Sequence, residues 1–271
     1  MDFATRYGPW AVIAGASEGT GREYVRQIAA QEVNCVLVAR REGPLLELAE
    51  EIRAEFAVEC LVVPLDLARP DAADQLIAAI GDHEVGLYIA NAGADPNGSE
   101  FLDAPVEAWV GLATRNVLTT LRCCHHFGAA MKARGQGGML LVGSGACYGG
   151  SPHLGTYAGS KAFEMCFAEG LWGELQSHGV DVLYFAMATT DTPELRRLLA
   201  HLGAPEPAVV ADPAEVARVG LERLPHGPIH NWGLADDDPG WAGSSAAQRR
   251  ARVQMLAQAT AAMFKPKEPA A

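Results

Sequence analysis

The chain has 271 residues, of which 49% are hydrophobic and 20% are charged, as is typical of a globular protein with a substantial core. Its net charge of −12 argues against a nucleic-acid partner, because phosphate backbones are bound by basic surfaces. No uninterrupted apolar run approaches the ~18 residues that a membrane-spanning helix needs. The N-terminal residues lack the basic start and apolar stretch of a secretory signal, so a cytoplasmic protein with no membrane partner is expected.

Short apolar runs alternate with longer helical stretches along the whole chain. Strands are predicted at 10–15, 34–40, 60–66, 86–93, 137–145, 180–188 and 227–233. Helices are predicted at about 19–31, 43–56, 71–81, 107–134 and 156–179. Continuously apolar strands are typical of a sheet covered on both faces. Strand–helix alternation therefore predicts an α/β fold, a single-domain doubly wound parallel sheet with helices on both faces.

Domain boundaries are suggested by composition near the C-terminus. Residues 1–233 are predicted to form one domain, in which the Pro-containing segment 189–211 has the character of a lid over a site. Residues 234–271 are predicted to be a C-terminal extension, with a helix at about 244–264 and a frayed tail.

A glycine-rich turn joins the first predicted strand to the first predicted helix. It contains Gly15, Gly19 and Gly21, with Ser17 and Thr20 between them. Glycine permits a positive φ and lets the backbone approach a ligand closely. The start of the helix adds free N–H groups and the positive end of the helix dipole. At a strand-to-helix turn, this pattern predicts a pyrophosphate-binding site.

The end of the second predicted strand bears on the choice of dinucleotide. A carboxylate here would bind a ribose diol and repel a 2′-phosphate, but Ala39 is followed by Arg40 and Arg41. Guanidinium groups pair well with phosphate, which favours NADP(H) as the cofactor. Glu18 adds a negative charge near the same phosphate and favours the opposite choice. The alternative interpretation is a solvated basic surface at a strand end.

Tyr157 and Lys161 form the most informative pair in the chain. Four residues apart, they share one face of a helix, so Lys161 can favour the ionised form of the Tyr157 phenol. Ser144, thirteen positions before Tyr157, can donate a hydrogen bond to a carbonyl oxygen that the phenol protonates. The three predict an acid/base site that interconverts a ketone and an alcohol. The alternative is an ordinary amphipathic helix with a surface lysine.

Taken together, these motifs resemble the short-chain dehydrogenase/reductase family, whose members have the Rossmann fold. The resemblance covers about residues 10–192 and rests on motifs in the family's order: Gly15, Gly19 and Gly21; Asp66 and Leu67; Asn91, Ala92 and Gly93; Asn116, Ser144, Tyr157 and Lys161. The opening YGPWAVIAGASEGTG is also similar to the branch that reduces steroid and long-chain 3-oxoacyl ketones.

The resemblance implies a role for each matched residue. Tyr157 donates a proton to the carbonyl oxygen, and Ser144 orients that oxygen. Lys161 favours the ionised form of Tyr157 and binds the nicotinamide ribose, and Tyr157 also contacts the cofactor. Asn116 holds a water chain that links Lys161 to solvent. The resemblance further implies cofactor contacts from Asp66–Leu67 near the adenine and from the segment 91–93. Family members commonly pair through the helices at 107–134 and 156–178, which implies a dimer or tetramer.

One segment departs from the family pattern. Met187 and Ala188 stand where the family usually has Pro-Gly, which alters the turn that precedes Thr190 and Thr192, the residues expected to contact the nicotinamide carboxamide. Candidate pocket walls have aromatic and aliphatic members: Cys147, Tyr148, Pro152, His153 and Leu154. A hydrophobic, bulky ketone or secondary alcohol is therefore the expected small-molecule substrate.

Other functions are weighed against this one. A hydrolase using Ser144 or Ser160 is disfavoured, because neither serine lies in a Gly-x-Ser-x-Gly elbow. A non-catalytic dinucleotide-binding regulator shares the fold but usually lacks the full catalytic set. An epimerase or dehydratase would be expected to have a longer substrate domain. The run Cys123-Cys124-His125-His126 suggests a metal site, but no second pair of ligands lies nearby, so no metal is predicted.

Overall fold

The computed structural model describes residues 2–238 together with Met255 and Gln258. A seven-stranded sheet has the order β3-β2-β1-β4-β5-β6-β7, and neighbouring strands are parallel. The strands are β1 Trp10–Ala14, β2 Asn34–Ala39, β3 Cys60–Pro64, β4 Val85–Ala90, β5 Gly137–Val142, β6 Val180–Ala186 and β7 Ile229–Asn231. This confirms the predicted α/β class and the doubly wound parallel sheet.

Helices cover both faces of the sheet. They are α1 Phe3–Tyr7, α2 Gly19–Ala29, α3 Glu42–Glu55, α4 Ala72–Ile80, α5 Val106–Ala113, α6 Thr120–Arg134, α7 Gly155–Leu175, α8 Pro193–Leu202 and α9 Pro213–Arg223. Successive strand residues serve opposite cores: Val12 packs into one cluster and Ile13 into the other, and both are fully buried. Because each strand residue is covered, the strands are apolar without alternation.

The helix predicted at 107–134 is interrupted in the structure. A π-helical segment, Thr114–Thr119, separates α5 from α6 and contains Asn116. Single π turns inside α-helices recur at functional sites, because they change the direction of one side chain. The apolar periodicity did not reveal this interruption, since the hydrophobic face continues through it.

Two helices were not predicted from the sequence. Helix α1 is capped by Asp2, whose carboxylate accepts a hydrogen bond from the Thr5 amide at 2.7 Å. Helix α9 begins after Asp212, which accepts from the amides of Ala214 and Glu215, and it has Pro213 in its first turn. An Asp-Pro pair before an apolar run is a recognised helix-start signal, so α9 could have been identified.

The segment predicted to be a lid contains α8 and a loop that returns to the start of the segment. Thr190 and Ala211 pair as a parallel bridge, so the two ends of the segment are tied together. Its movement, and the domain boundary at 233, stay predictions. The helix predicted at about 244–264 lies outside the described residues, apart from Met255 and Gln258, which are helical.

The surface of the described chain bears on two earlier expectations. Within residues 2–238, no helix is both long and apolar enough to cross a membrane. The helices predicted to pair copies of the chain carry large exposed apolar side chains, namely Val106, Val110, Leu118, Leu121 and Phe163. Pairing through these helices stays a prediction.

Candidate active site

The strand order creates a crevice between β1 and β4. The chain leaves β1 toward β2 on one side, whereas β4 leads to β5 on the other, and ligands of such sheets bind where the order reverses. The glycine-rich turn follows β1, and Asn91 follows β4. The Asn91 side-chain amide donates to the Gly15 carbonyl at 3.3 Å, which ties the two segments together. A cavity of about 470 Å³ opens at this point.

Most residues predicted to bind the cofactor line this one cavity. They are Gly15, Ser17, Gly19, Thr20, Arg40, Arg41, Asp66, Leu67, Asn91, Ala92, Gly93, Tyr157, Lys161 and Thr192. Four predicted site residues do not line it: Gly21, Asn116, Ser144 and Thr190. The structure thus collects residues from distant parts of the sequence, whereas their individual roles stay predictions.

The glycine turn has the shape expected of a phosphate cradle. Gly15 and Gly19 have φ values of +79° and +55°, which residues other than glycine rarely adopt. Gly21 serves the turn itself, since a Cβ there would lie 1.9 Å from the Gly15 carbonyl oxygen. The Thr20 hydroxyl is buried and has no hydrogen-bond partner among the described residues. The positive φ values and the unpartnered hydroxyl fit a dinucleotide pyrophosphate at the start of α2.

The two arginines after β2 have different environments. Arg41 donates to the Glu18 carboxylate at 2.6 Å, and Arg197 of α8 binds the same carboxylate. Burial would raise the pKa of Glu18, but the bonds from Arg197 and Arg41 bring it below its usual value. Arg40 lines the cavity and has no carboxylate partner within residues 2–238. Glu18 therefore competes for Arg41 and leaves Arg40 available to an anion.

Arg115 and Arg197 were missed by the sequence reasoning, although both line the cavity. Arg115 belongs to the π-helical segment and donates to the Ala94 carbonyl at 2.5 Å. Burial lowers its pKa, and the nearby charge of Arg40 lowers it further. Arg40 and Arg115 are thus two neighbouring cations in the cavity wall, which is consistent with an anionic ligand group beside them. No motif predicts either arginine, because each reaches the cavity through the tertiary fold.

Lys161 has a carboxylate partner that was not expected. Its ammonium group donates to the Val142 carbonyl at 3.0 Å and pairs with Glu164 at 2.8 Å. The side chains of Lys161 and Glu164 are only 3% and 2% exposed. A Cβ at Gly93 would lie 2.7 Å from the ammonium nitrogen, so glycine leaves room for it. The three-residue spacing of Lys161 and Glu164 could have suggested the pair.

Asn116 is fully buried and connects two parts of the site. Its side-chain amide donates to the Gly93 carbonyl at 3.2 Å and to the Ser160 hydroxyl at 2.9 Å. The Ser160 hydroxyl in turn donates to the Tyr157 carbonyl at 2.7 Å. Asn116 thus links the segment after β4 to the helix that carries Tyr157. The water chain expected at Asn116 stays a prediction.

Ser144 directly follows Gly143, which lines the cavity, and its backbone is held by Tyr184 of β6. The Ser144 amide donates to the Tyr184 hydroxyl at 3.1 Å, and that hydroxyl donates to the Ser144 carbonyl at 3.2 Å. Burial raises the pKa of Tyr184, so the phenol remains protonated and able to donate. A Cβ at Gly143 would lie 2.0 Å from the Tyr184 ring. Tyr184 was not predicted to take part in the site.

In the turn that lacks the usual Pro-Gly, Thr190 and Thr192 have different environments. Met187 lines the cavity, and Thr190 is buried with its hydroxyl donating to the Ala188 carbonyl at 3.0 Å. Thr192 lines the cavity and caps α8 by accepting from the Leu195 amide at 3.2 Å. The contacts predicted for Thr190 therefore require its hydroxyl to leave an internal bond, whereas Thr192 already faces the cavity.

The suspected metal ligands at 123–126 do not form a cluster. Cys123 and Cys124 are buried, and burial raises the pKa of each thiol, to about 11 for Cys123. His125 and His126, in contrast, are exposed. In the described part of the chain, no three Cys, His, Asp or Glu side chains lie close enough to hold a metal ion.

Comparison with known proteins agrees with this geometry. Residues 9–202 match the family model described as short chain dehydrogenase. A 7beta-hydroxysteroid dehydrogenase of Collinsella aerofaciens is 35% identical over 195 residues, which are 72% of this chain and 74% of the relative. A very-long-chain 3-oxoacyl-CoA reductase of Meyerozyma guilliermondii is 34% identical over 219 residues, 75% of this chain and 63% of the relative. A solved 7beta-hydroxysteroid dehydrogenase structure superposes with a TM-score of 0.82 at 30% identity, covering 93% of this chain and 99% of that one.

Proposed function

Because the chain belongs to the short-chain dehydrogenase family, we propose that it is an NADP(H)-dependent oxidoreductase that interconverts a ketone and a secondary alcohol. One observation carries the proposal: Tyr157 and Lys161 line the same cavity as the glycine turn and Arg40. An acid/base pair and a dinucleotide cradle within one cavity bring a proton donor and a hydride donor to the same substrate.

Each residue of the acid/base site has a separate role in the proposed reaction. When bound, the nicotinamide cofactor supplies the hydride. Tyr157 donates a proton to the carbonyl oxygen in the reductive direction and accepts it back in the oxidative direction. Ser144 donates a hydrogen bond to the same oxygen and so opposes the build-up of negative charge there. Lys161 supports the ionised phenol through its positive charge.

The proposed substrate class rests on the relatives and on an apolar residue in the cavity lining. The relatives are described as acting on hydroxysteroids and on very-long-chain 3-oxoacyl-CoA, and Met187 lines the same cavity as Tyr157. We infer a hydrophobic, bulky ketone or secondary alcohol as the substrate. The walls expected from the sequence, at 147, 148 and 152–154, do not line this cavity; Cys147 is buried and offers little surface, whereas Tyr148 is partly exposed.

The test is a substrate panel followed by nicotinamide absorbance, with a 7-oxo steroid, a 3-oxoacyl thioester and a short aliphatic ketone, each with NADPH and with NADH. We expect the bulky ketones to be reduced at least ~10-fold more efficiently than the short one, since buried apolar area stabilises their binding. Dinucleotide binding without turnover of any ketone or alcohol would instead support the non-catalytic regulator. Chiral analysis of the product then gives the face of hydride attack.

Cofactor choice gives a second prediction. Replacing Arg40 with alanine is expected to weaken NADPH binding by roughly 10- to 100-fold, because a charge-assisted hydrogen bond to phosphate contributes about 1.5–3 kcal/mol. NADH binding should change little, since NADH has no 2′-phosphate. Fluorescence titration of both cofactors measures the two affinities.

Arg41→Ala is the matched control for Arg40→Ala. Arg41 is already paired with Glu18, so its loss should weaken NADPH binding less than the loss of Arg40 does. Equal losses for NADPH and NADH in the Arg40 variant would show that Arg40 does not contact the 2′-phosphate. A larger selective loss in the Arg41 variant would transfer that role to Arg41.

A further inference from the structure

The ion pair between Lys161 and Glu164 lies inside the protein. The two side chains are 3% and 2% exposed, and their charged atoms are 2.8 Å apart. A buried ion pair is seldom more stabilising than well-packed apolar side chains of the same volume. Stability of α7 therefore does not explain a carboxylate at position 164. The neighbouring lysine, which lines the cavity, does.

Two of the three N–H donors of the Lys161 ammonium are used inside the protein. A lysine ammonium has three N–H donors. One is directed to the Val142 carbonyl and one to Glu164, which leaves one for a group in the cavity. Gly93 leaves just enough room for the ammonium on another side, because an added Cβ there would lie 2.7 Å from the nitrogen. The ammonium nitrogen is thus held at a fixed place in the cavity wall.

The surroundings of Glu164 contain other titratable groups. Tyr88 of β4, Cys124 of α6 and Tyr184 of β6 are close enough to interact electrostatically with it. Burial raises the pKa of each of these groups, so they stay neutral at ordinary pH. Burial also raises the pKa of Glu164, and the charge of Lys161 opposes that change. Lys161 is therefore the charged group that opposes the effect of burial on Glu164.

We propose that Glu164 is a positioning residue for the reaction: it holds the Lys161 ammonium at the cavity wall and keeps it charged. Burial disfavours the charged form of a lysine, and the Glu164 carboxylate, 2.8 Å away, is the counter-ion that offsets this cost. A neutral lysine would no longer favour the ionised Tyr157 phenol. Glu164 acts through Lys161 and does not touch the substrate. This inference rests on the proposed function, because it assigns a partner to the same acid/base site.

The test compares Glu164→Gln with wild type in alcohol oxidation, in which ionised Tyr157 must accept the proton. Glutamine keeps the shape and one oxygen acceptor but removes the charge. We expect kcat to fall at least ~10-fold. The acid limb of the pH–rate profile should move about one unit toward higher pH, because the Tyr157 phenolate loses the nearby positive charge of Lys161. Glu169→Gln, which removes an exposed charge from the same helix, should leave both unchanged.

Glu164→Asp tests the position of the carboxylate separately from its charge. Aspartate keeps the negative charge but withdraws its oxygens by one methylene, so the acid limb should stay near that of wild type while kcat falls at least ~3-fold. This variant decides the matter if Glu164→Gln does not fold. A wild-type kcat in Glu164→Asp, or a wild-type acid limb in Glu164→Gln with only a lowered melting temperature, would overturn the inference.

The wild-type protein is assayed first so that two failures remain distinguishable. Absence of turnover with every ketone and alcohol would refute the proposed function and this inference together. An active wild type whose Glu164→Gln variant has the same kcat and pH profile would refute only the role of Glu164.

Discussion

Replacing Tyr157 with phenylalanine is expected to lower ketone turnover by about 10²- to 10⁴-fold, the usual contribution of a positioned general acid. NADPH affinity should be nearly unchanged, since the variant keeps the ring that lines the cavity and removes only the hydroxyl. The measurement pairs kcat from nicotinamide absorbance with affinity from fluorescence titration. A loss in kcat without a loss in affinity is what removal of a proton donor predicts.

Tyr7→Phe is a suitable control for this variant. The Tyr7 hydroxyl donates to Asp181 at 2.7 Å, and Tyr7 is buried outside the cavity lining. Removing it should cost about 1.5–3 kcal/mol of stability, the usual contribution of a hydrogen bond to a charged group, and should leave turnover near that of wild type. Turnover by Tyr157→Phe within a few-fold of wild type would refute the acid role. A parallel loss of NADPH binding would indicate that the hydroxyl contributes to cofactor affinity.

The fold was predictable because its physical cause is local. Each strand is buried on both faces, so it appears in the sequence as an unbroken apolar run, and each crossover helix has its own periodicity. Val12 and Ile13 show the rule, since adjacent residues enter opposite cores. The π-helical segment Thr114–Thr119 was not predictable from the same signal, because it alters the backbone without interrupting the apolar face.

The site was predictable only where its residues are close in sequence or belong to one motif. The glycine turn and the Tyr157–Lys161 spacing are of this kind. Contacts between distant segments were missed, such as Arg197 binding Glu18 across 179 positions. Such pairs depend on how the lid segment returns over the glycine turn, and no local pattern encodes that. Glu164 lies between these cases, since its spacing from Lys161 was visible but its burial was not.

Gly143→Ala is expected to impair both folding and activity, although it adds only one methyl group. The new Cβ would lie 2.0 Å from the Tyr184 ring, which is fully buried in β6. Relieving this overlap must displace either the ring or the end of β5, and overpacking of this kind costs about 1–3 kcal/mol or more. Ser144 follows Gly143 directly, and a shift of about 1 Å at a reacting group can lower turnover by roughly 10²-fold. Thermal denaturation and kcat measure the two effects.

Two further variants show whether the overlap is the cause. Gly145→Ala adds a methyl group in the same segment where no atom lies within 4 Å, so its melting temperature should stay near that of wild type. In the double variant Gly143→Ala/Tyr184→Ala, the small side chain at 184 makes room for the methyl group. The destabilisation of the double variant should therefore be smaller than the sum of the destabilisations of the two single variants, which is the signature of residues in direct contact. Additive losses would mean that Gly143 is required for a reason other than the Tyr184 ring.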